Sequence, residues 1–355
     1  MQRETRKKLI FCMQNVKVFY NQLYKWYELN RRELPWRETY DAYRIWVSEI
    51  ILQQTRVEQG LPYYLRFVER FGDVESLACA SEDEVLRYWQ GLGYYSRARN
   101  MHKAAQVIVS EHGGVFPTDF ASIRSLPGIG DYTAGAISAF AYDLPYPALD
   151  GNVYRVLSRL YDSAVAFDTS SGKKHFHGLA EGLVDCEHAR LFNSAIMEFG
   201  ALWCVPQNPD CEGCALREFC LSRVHGTVGL LPVRKPRTAL KERYLNYDIY
   251  VCERDGGLWT LIKQRQANDI WKHLWEFVLN ESDGGFAEGC ADVPTIELTH
   301  VLSHQRLHAR FKLHKVDALP SIAGTQAVRW EDLDDYAFSR LTLRALERFG
   351  MLHRS

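Results

Sequence analysis

Along the first two-thirds of the chain, apolar residues return every three or four positions. That spacing predicts helices over residues 11–29, 42–58, 61–71, 82–90, 100–111, 120–126, 132–142, 153–161 and 192–202. Pro35 and Pro127 each stop a helix and leave a short loop behind it. Between residues 223 and 241 the periodicity lapses. Gly226, Gly229, Pro232 and Pro236 stand there among Lys and Arg, which reads as a linker. Beyond it the period shortens to two. Residues 244–252 and 258–263 alternate as strands about an Asp255-Gly256-Gly257 turn, 307–316 reads as another strand, and 336–349 as a closing helix. The pattern predicts a multidomain chain: an all-α domain over 1–225, a linker over 226–243 and an α+β domain over 244–355. It holds no internal repeat and no low-complexity tract.

Composition sets the bounds. The 355 residues, 46% hydrophobic and 25% charged, suffice for two domains that each bury a core. A net charge of -1 and a pI near 6.9 leave nucleic acid open, because a local basic surface coexists with a neutral total. Residues 1–10 are basic through Arg3, Arg6, Lys7 and Lys8, but no apolar run follows, so they are not a secretory signal. No stretch approaches the length of a membrane span. The cysteines number nine, and four crowd together at Cys204, Cys211, Cys214 and Cys220. An odd count with local crowding suggests a metal site in a reducing compartment rather than a disulfide framework.

Several stretches carry candidate chemistry. Gly128-Ile129-Gly130 sits between two helices. A hairpin of this kind leaves free N–H groups at the positive end of a helix, where a phosphate fits. An ordinary helix–turn–helix inside a core has the same pattern. Asp150 caps the helix after it. Glu49 falls among Ile45, Trp46, Ile50 and Leu52; desolvation there would raise its pKa, as a general acid requires. Trp36-Arg37 on the Pro35 loop could stack on and hydrogen-bond a base, or plug a core edge. Gly91-Leu92-Gly93-Tyr94-Tyr95 precedes Arg97 and Arg99, a combination able to wedge into a base stack while gripping phosphates. Zinc and an iron–sulfur cluster are both compatible with the four thiols.

Taken jointly, Leu34-Pro35-Trp36-Arg37, Ser48-Glu49-Ile50-Ile51-Leu52-Gln53-Gln54-Thr55, Gly91-Leu92-Gly93-Tyr94-Tyr95, the Gly128–Gly130 hairpin, Leu149-Asp150-Gly151-Asn152-Val153 and the cysteines closely resemble the MutY-type adenine DNA glycosylases of the helix-hairpin-helix, endonuclease III superfamily. The likeness runs over residues 30–220. It implies an all-α glycosylase domain whose Cys204, Cys211, Cys214 and Cys220 hold a [4Fe-4S] cluster. It also implies a Nudix-like second domain that recognises 8-oxoguanine. That domain lacks the Arg-Glu-x-x-Glu-Glu core with which a Nudix hydrolase binds metal, which favours recognition over pyrophosphate hydrolysis.

By the same resemblance, Glu49 protonates adenine and Asp150 stabilises the sugar cation, while Tyr132 and Asn152 position the sugar and the carboxylate. Trp36, Arg37, Leu52 and Glu198 line the adenine pocket. Gln53 and Tyr94 form the wedge, and Gly128 and Gly130 grip the backbone. Ser303 and His304 read the damaged base. Leu302 departs from the Phe that the family typically has there, which changes the contacts that loop can make. The partner is double-stranded DNA carrying adenine opposite 8-oxoguanine or guanine. The enzyme is expected to be a monomer, cytoplasmic and nucleoid-associated in a bacterium, and to have no membrane partner. Endonuclease III places a Lys where Tyr132 stands, so strand cleavage is not expected here. The simultaneous presence of Glu49 and Asp150 argues against a catalytically silent iron–sulfur DNA-binding protein.

Overall fold

A computed structural model of the chain describes residues 16–236, 239–266, 269–282, 284–286 and 293–351. The basic stretch at 1–10 and the start of the helix expected over 11–29 lie outside the described residues. The chain forms two compact units. One takes Met1–Gln54 with Val107–Pro236, the other Thr55–Gln106 with Arg237–Ser355. Among the described residues no helix is long and apolar enough to cross a membrane.

In chain order the helices are α1 (Val16–Asn30), α2 (Ala42–Leu52), α3 (Val57–Arg70), α4 (Val74–Cys79), α5 (Glu82–Tyr88), α6 (Ser96–His112), α7 (Phe120–Ser125), α8 (Asp131–Tyr142), α9 (Gly151–Leu160), α10 (Ser170–Glu181), α11 (Ala189–Leu202), α12 (Leu221–His225) and α13 (Arg340–Phe349). Many begin on a side chain that takes up an otherwise unpaired N–H group. Asp41 accepts from the amides of Tyr43 and Arg44, Ser81 from that of Glu84, and Thr169 from that of Gly172.

In the first unit α11 packs on α1, α8 and α9. Nearly all of α8 is buried, because Ala134, Gly135, Ala136 and Ala139 are small enough to let neighbours close in from several sides. The helix expected over 42–58 stops instead at Leu52. Gln53 leaves helical geometry and Gln54 takes a left-handed φ of 58°, while the Gln53 amide donates to Thr133 Oγ1 of α8 at 3.2 Å. That distant partner holds the break. Three helices went unforeseen: α4, α10 and the five-residue α12. α4 is too short to show a period, and its signal is the reciprocal Asp73–Ser76 cap. In α10, Lys and His dilute the apolar stripe of Phe176, Leu179 and Ala180.

In the second unit a mixed sheet comprises β1 (Lys241–Arg254), β2 (Gly257–Gln264), β3 (Trp275–Glu276), β4 (Val278–Ser282), β5 (Thr295–Val301), β6 (Gln305–Lys315) and β7 (Gln326–Arg329). The order β3-β2-β1-β6-β5 is extended by β4 on β1 and β7 on β2. β1 opens at Lys241, within the stretch expected to be linker. The foreseen hairpin is there, with Asp255 and Gly256 both at positive φ, the twist a tight β-hairpin needs. β1 and β6 run parallel and alternate inward: Leu245, Tyr247, Ile249 and Val251 face Leu307, Ala309 and Phe311, and α13 covers them with Leu341, Ala345 and Leu346. Helices α3 to α5 and the first part of α6 join this unit. Arg87 pairs with Asp335 at 2.7 Å, the Phe338 amide donates to Gln90 Oε1 at 3.0 Å, and Arg99 donates to the Lys272 carbonyl at 2.7 Å.

A Cβ on Gly135 would sit 2.6 Å from the Pro147 carbonyl oxygen. Gly135→Ala is therefore expected to destabilise the protein by about 1–3 kcal/mol, because backbone cannot step aside as a flexible side chain does. A Tm equal to that of the unmodified protein would contradict this packing.

Candidate active site

Glu49 lies in the buried middle of α2, only 4% exposed. Burial pushes its carboxyl above the ordinary range. The Arg37 guanidinium and a hydrogen bond from Tyr132 pull it back in part, and Asp150 adds to the rise. The Tyr132 hydroxyl, from the first turn of α8, donates to Glu49 Oε2 at 2.5 Å. Burial and the same two carboxylates push the Tyr132 phenol far up, so it is neutral and a donor.

Asp150 caps α9. Its Oδ1 accepts from the amides of Asn152 and Val153, each at 2.8 Å, and its Oδ2 accepts from the Asn152 side chain at 2.9 Å. Burial raises its pKa, and these three donors oppose the rise. Asn152 is held in turn by Arg155, which donates to Asn152 Oδ1 at 2.9 Å, to the Gly200 carbonyl at 2.6 Å and to the Cys204 carbonyl at 2.8 Å. A Cβ on Gly200 would fall 2.8 Å from that of Asn152. The structure thus brings Glu49, Tyr132, Asp150 and Asn152 into one electrostatic neighbourhood, in which burial raises both carboxyls.

Trp36 is 3% exposed, so it fills the interior rather than standing in solvent. Arg37 turns inward too, donating to Ser194 Oγ at 2.9 Å and lying 4.3 Å over the Phe140 ring. Leu52 is half-buried at the end of α2. Glu198 is buried and clasped by Arg32, whose Nε reaches Oε1 at 2.7 Å and whose Nη2 reaches Oε2 at 3.0 Å. In the hairpin only Gly128 needs its glycine for the turn, at φ 78°. Gly130 has ordinary φ and open space around it, and α8 begins there with no side chain over its first N–H groups. The exposed Asp131 at this mouth is paired with Arg124 at 2.6 Å.

Sequence reasoning missed three arginines here. Arg155 and Arg159 sit in the buried stripe of α9, four residues apart, a position where a solvated charge does not belong. Arg190 donates to the carbonyls of Arg37 at 2.6 Å and Thr39 at 2.8 Å and covers the Tyr40 ring, fixing the loop that carries Trp36. No local pattern marked it.

The four cysteines follow α11. Burial pushes up Cys211 and Cys220, and Cys214 to about 12; neighbouring thiols, Cys204 foremost, add to each rise. Arg159 donates to Cys204 Sγ at 3.3 Å. Among the described residues no group of three or more His, Cys, Asp or Glu is arranged to hold a metal ion. As a donor set, four mutually repelling thiols still suit a cationic iron or zinc centre.

Tyr94 belongs to the second unit and Gln53 to the first. Tyr94 has φ 47° and an exposed ring, on the loop between α5 and α6. It lines a cavity of about 590 Å³ with Leu302, Ser303, His304, Trp271 and His300, so the structure joins the expected wedge residue to the expected reading residues.

The family model for HhH-GPD superfamily base excision DNA repair protein matches residues 47–171, and that for the NUDIX domain matches residues 249–348. Adenine DNA glycosylase of Buchnera aphidicola subsp. Baizongia pistaciae is 36% identical over 267 residues, 73% of either chain. That of Mus musculus is 30% identical over 404 residues, spanning 95% of this chain and 78% of its own. A solved thermostable thymine-DNA glycosylase aligns with 60% of this chain and 98% of its own at a TM-score of 0.55 and 29% identity. Endonuclease III in a non-covalent DNA complex gives 0.52 at 20% identity, a likeness of fold.

The geometry predicts a titration. Glu49 should titrate above the ordinary glutamate value of about 4.3. In Tyr132→Phe the midpoint should move higher still, since a donor to the carboxylate favours its charged form. Carboxyl-carbon NMR of both proteins reads this directly, and a downward move on losing the hydroxyl would contradict the hydrogen bond.

Proposed function

The chain belongs to the adenine DNA glycosylase family of base excision repair, and on that premise we propose that it hydrolyses the N-glycosidic bond of adenine mispaired with 8-oxoguanine or guanine in double-stranded DNA, without cutting the strand. The observation that carries this reading is the Tyr132–Glu49 hydrogen bond beside the capped Asp150. The leaving base needs a proton and the oxocarbenium-like sugar needs negative charge nearby. Glu49 gives its proton to adenine. Because Oε2 is taken by Tyr132, Oε1 carries the transferable proton. Asp150 faces the developing cation, and Asn152 keeps that carboxylate oriented. The adenine is extruded to reach these groups, since the bond is inaccessible in a stacked duplex.

Trp36, Arg37, Leu52 and Glu198 shape the adenine pocket, Gln53 and Tyr94 act at the vacated stack, and the open start of α8 after Gly128–Gly130 takes a backbone phosphate. Residues 1–225 thus serve as the glycosylase domain, and residues 244–355 as the reader of 8-oxoguanine through Ser303 and His304. Cys204, Cys211, Cys214 and Cys220 would hold a [4Fe-4S] cluster, which supplies a rigid anchor for the loop rather than a chemical step.

Glu49→Gln should slow single-turnover adenine release by about a hundred- to ten-thousand-fold while leaving binding to the mispaired duplex nearly intact. A rate within about threefold of the unmodified enzyme would remove Glu49 from the acid role. The unmodified protein should leave an abasic strand that only added alkali cuts, because a phenol forms no Schiff base. Tyr132→Lys should introduce partial strand cleavage and borohydride trapping. The Asp150 carboxylate would hold the new amine protonated and limit the gain.

The purified protein should be brown, and Cys211→Ala should lose the colour and DNA binding together. A colourless protein with one bound zinc would identify the other metal.

A further inference from the structure

The tip that carries Ser303 and His304 is not an independent loop. Leu302 and Gln305 close it, the Leu302 amide donating to the Gln305 carbonyl at 2.8 Å, and the Lys241 amide holds the His304 carbonyl at 3.2 Å. The Gln305 side chain points inward, where its Oε1 accepts from Arg243 Nη1 at 3.0 Å, both residues being buried. Arg243 is the centre of an ionic network. Its Nε and Nη2 grip Glu281 at 2.6 and 2.8 Å, and its Nη1 pairs with Asp269 at 2.6 Å. Asp269 also pairs with Arg265 at 3.2 Å. Arg265 binds the buried Glu276 at 2.9 Å and the Ile270 carbonyl at 3.0 Å.

The network therefore ties together two walls of one cavity. Asp269, Ile270 and Trp271 form one wall, and Leu302, Ser303 and His304 the other. Trp271 stands at φ 59°, a left-handed conformation that a bulky side chain adopts only when its surroundings impose it. Its ring meets His300 edge-on at 6.0 Å. Burying the charges of Arg243, Arg265 and Glu276 is a poor route to stability, since an apolar cluster of the same volume often does as well. Such a network does fix register, because each donor of a guanidinium accepts only one arrangement of its partners.

We propose that Arg243, acting through Gln305, is the positioning residue that sets the geometry of the Ser303–His304 tip and with it the preference for 8-oxoguanine over guanine opposite adenine. This rests on the reading of Ser303 and His304 given above. Neither Arg243 nor Gln305 touches the damaged base; they fix where the residues that do touch it stand.

The test uses the full-length protein and duplexes carrying adenine opposite either base. Gln305→Met removes the acceptor, keeps the bulk and leaves the ion pairs of Arg243 in place. It should lower the preference, measured as the ratio of single-turnover rates under subsaturating protein, by about fivefold or more. The loss should lie in the 8-oxoguanine arm, with the rate opposite guanine within about twofold and the Tm unchanged. Gln305→Glu still accepts from Arg243 and should keep most of the preference, which a purely structural role would not distinguish. Arg243→Lys keeps the charge but not the fork and should lose it. If Gln305→Met fails to fold, the Gln305→Glu and Arg243→Lys pair decides alone: equal preference in both overturns the proposal.

Ser303→Ala with His304→Ala separates the two levels. Full preference in that double variant removes the reading of the tip, and the proposal with it. A lost preference there, beside an unchanged one in Gln305→Met, overturns the positioning role alone. Adding Gln305→Met to the double variant should cost nothing further, and an additive loss would show that Gln305 acts elsewhere.

Discussion

A carboxyl that is to give up a proton near neutral pH has to be taken out of water, and the first unit is arranged around burying Glu49. Burial by itself would leave an uncompensated acid inside a core. The Tyr132 hydroxyl supplies one partner without supplying charge, and the Arg37 guanidinium tempers the rise without neutralising the group. The contact also joins α2 to α8, so the group that holds the acid is on the helix whose open start faces outward at Gly130. The uncapped helix start and the partner of Glu49 thus share one element. The small residues of α8 follow from that demand, since only close approach of its neighbours can desolvate Glu49 this far.

Asp150 is buried in the same surroundings, and the fold gives it three donors from the first turn of α9, which oppose the rise that burial imposes on its pKa. Burial raises both carboxyls, and Asp150 has three hydrogen-bond donors opposing that rise where Glu49 has one. Arg155 extends this support from Asn152 to the carbonyl of Cys204, which ties the start of the cysteine loop to the partner of Asp150.

The amino-acid pattern disclosed most of the helices, the β1–β2 hairpin and the burial of Glu49, because these depend on local periodicity and on residue types that are costly in the wrong place. Glu49 among Ile and Trp was readable for that reason. Its partner was not, because Tyr132 lies 83 residues away and a hydroxyl leaves no trace in a hydrophobic pattern. The end of α2 was misplaced because Gln53 is held by Thr133 rather than by any local breaker. Arg155 and Arg159 were visible in principle as charges in the apolar phase of α9, yet an arginine on a helix is read as solvated unless the phase is counted. β3 and β7 are too short to carry an alternating signal. The Arg243 network draws on four separate stretches, and only the folded sheet reveals it.

The grouping of Thr55–Gln106 with the C-terminal sheet alters how the molecule can be taken apart. Its division is not one cut in the chain, since the polypeptide leaves the first unit after Gln54, returns at Val107 and leaves again at Pro236. A protease or a cloning scheme that severs only the last of these crossings would release a fragment from 237 onward stripped of Gln90, Tyr95 and Arg99, which otherwise bind its Phe338 and Lys272 backbone. The remaining fragment would carry α3, α4, α5 and the first part of α6 without the partners they have in the second unit. Expressing the two parts as separate pieces cut at 236 would thus break these contacts in the second unit.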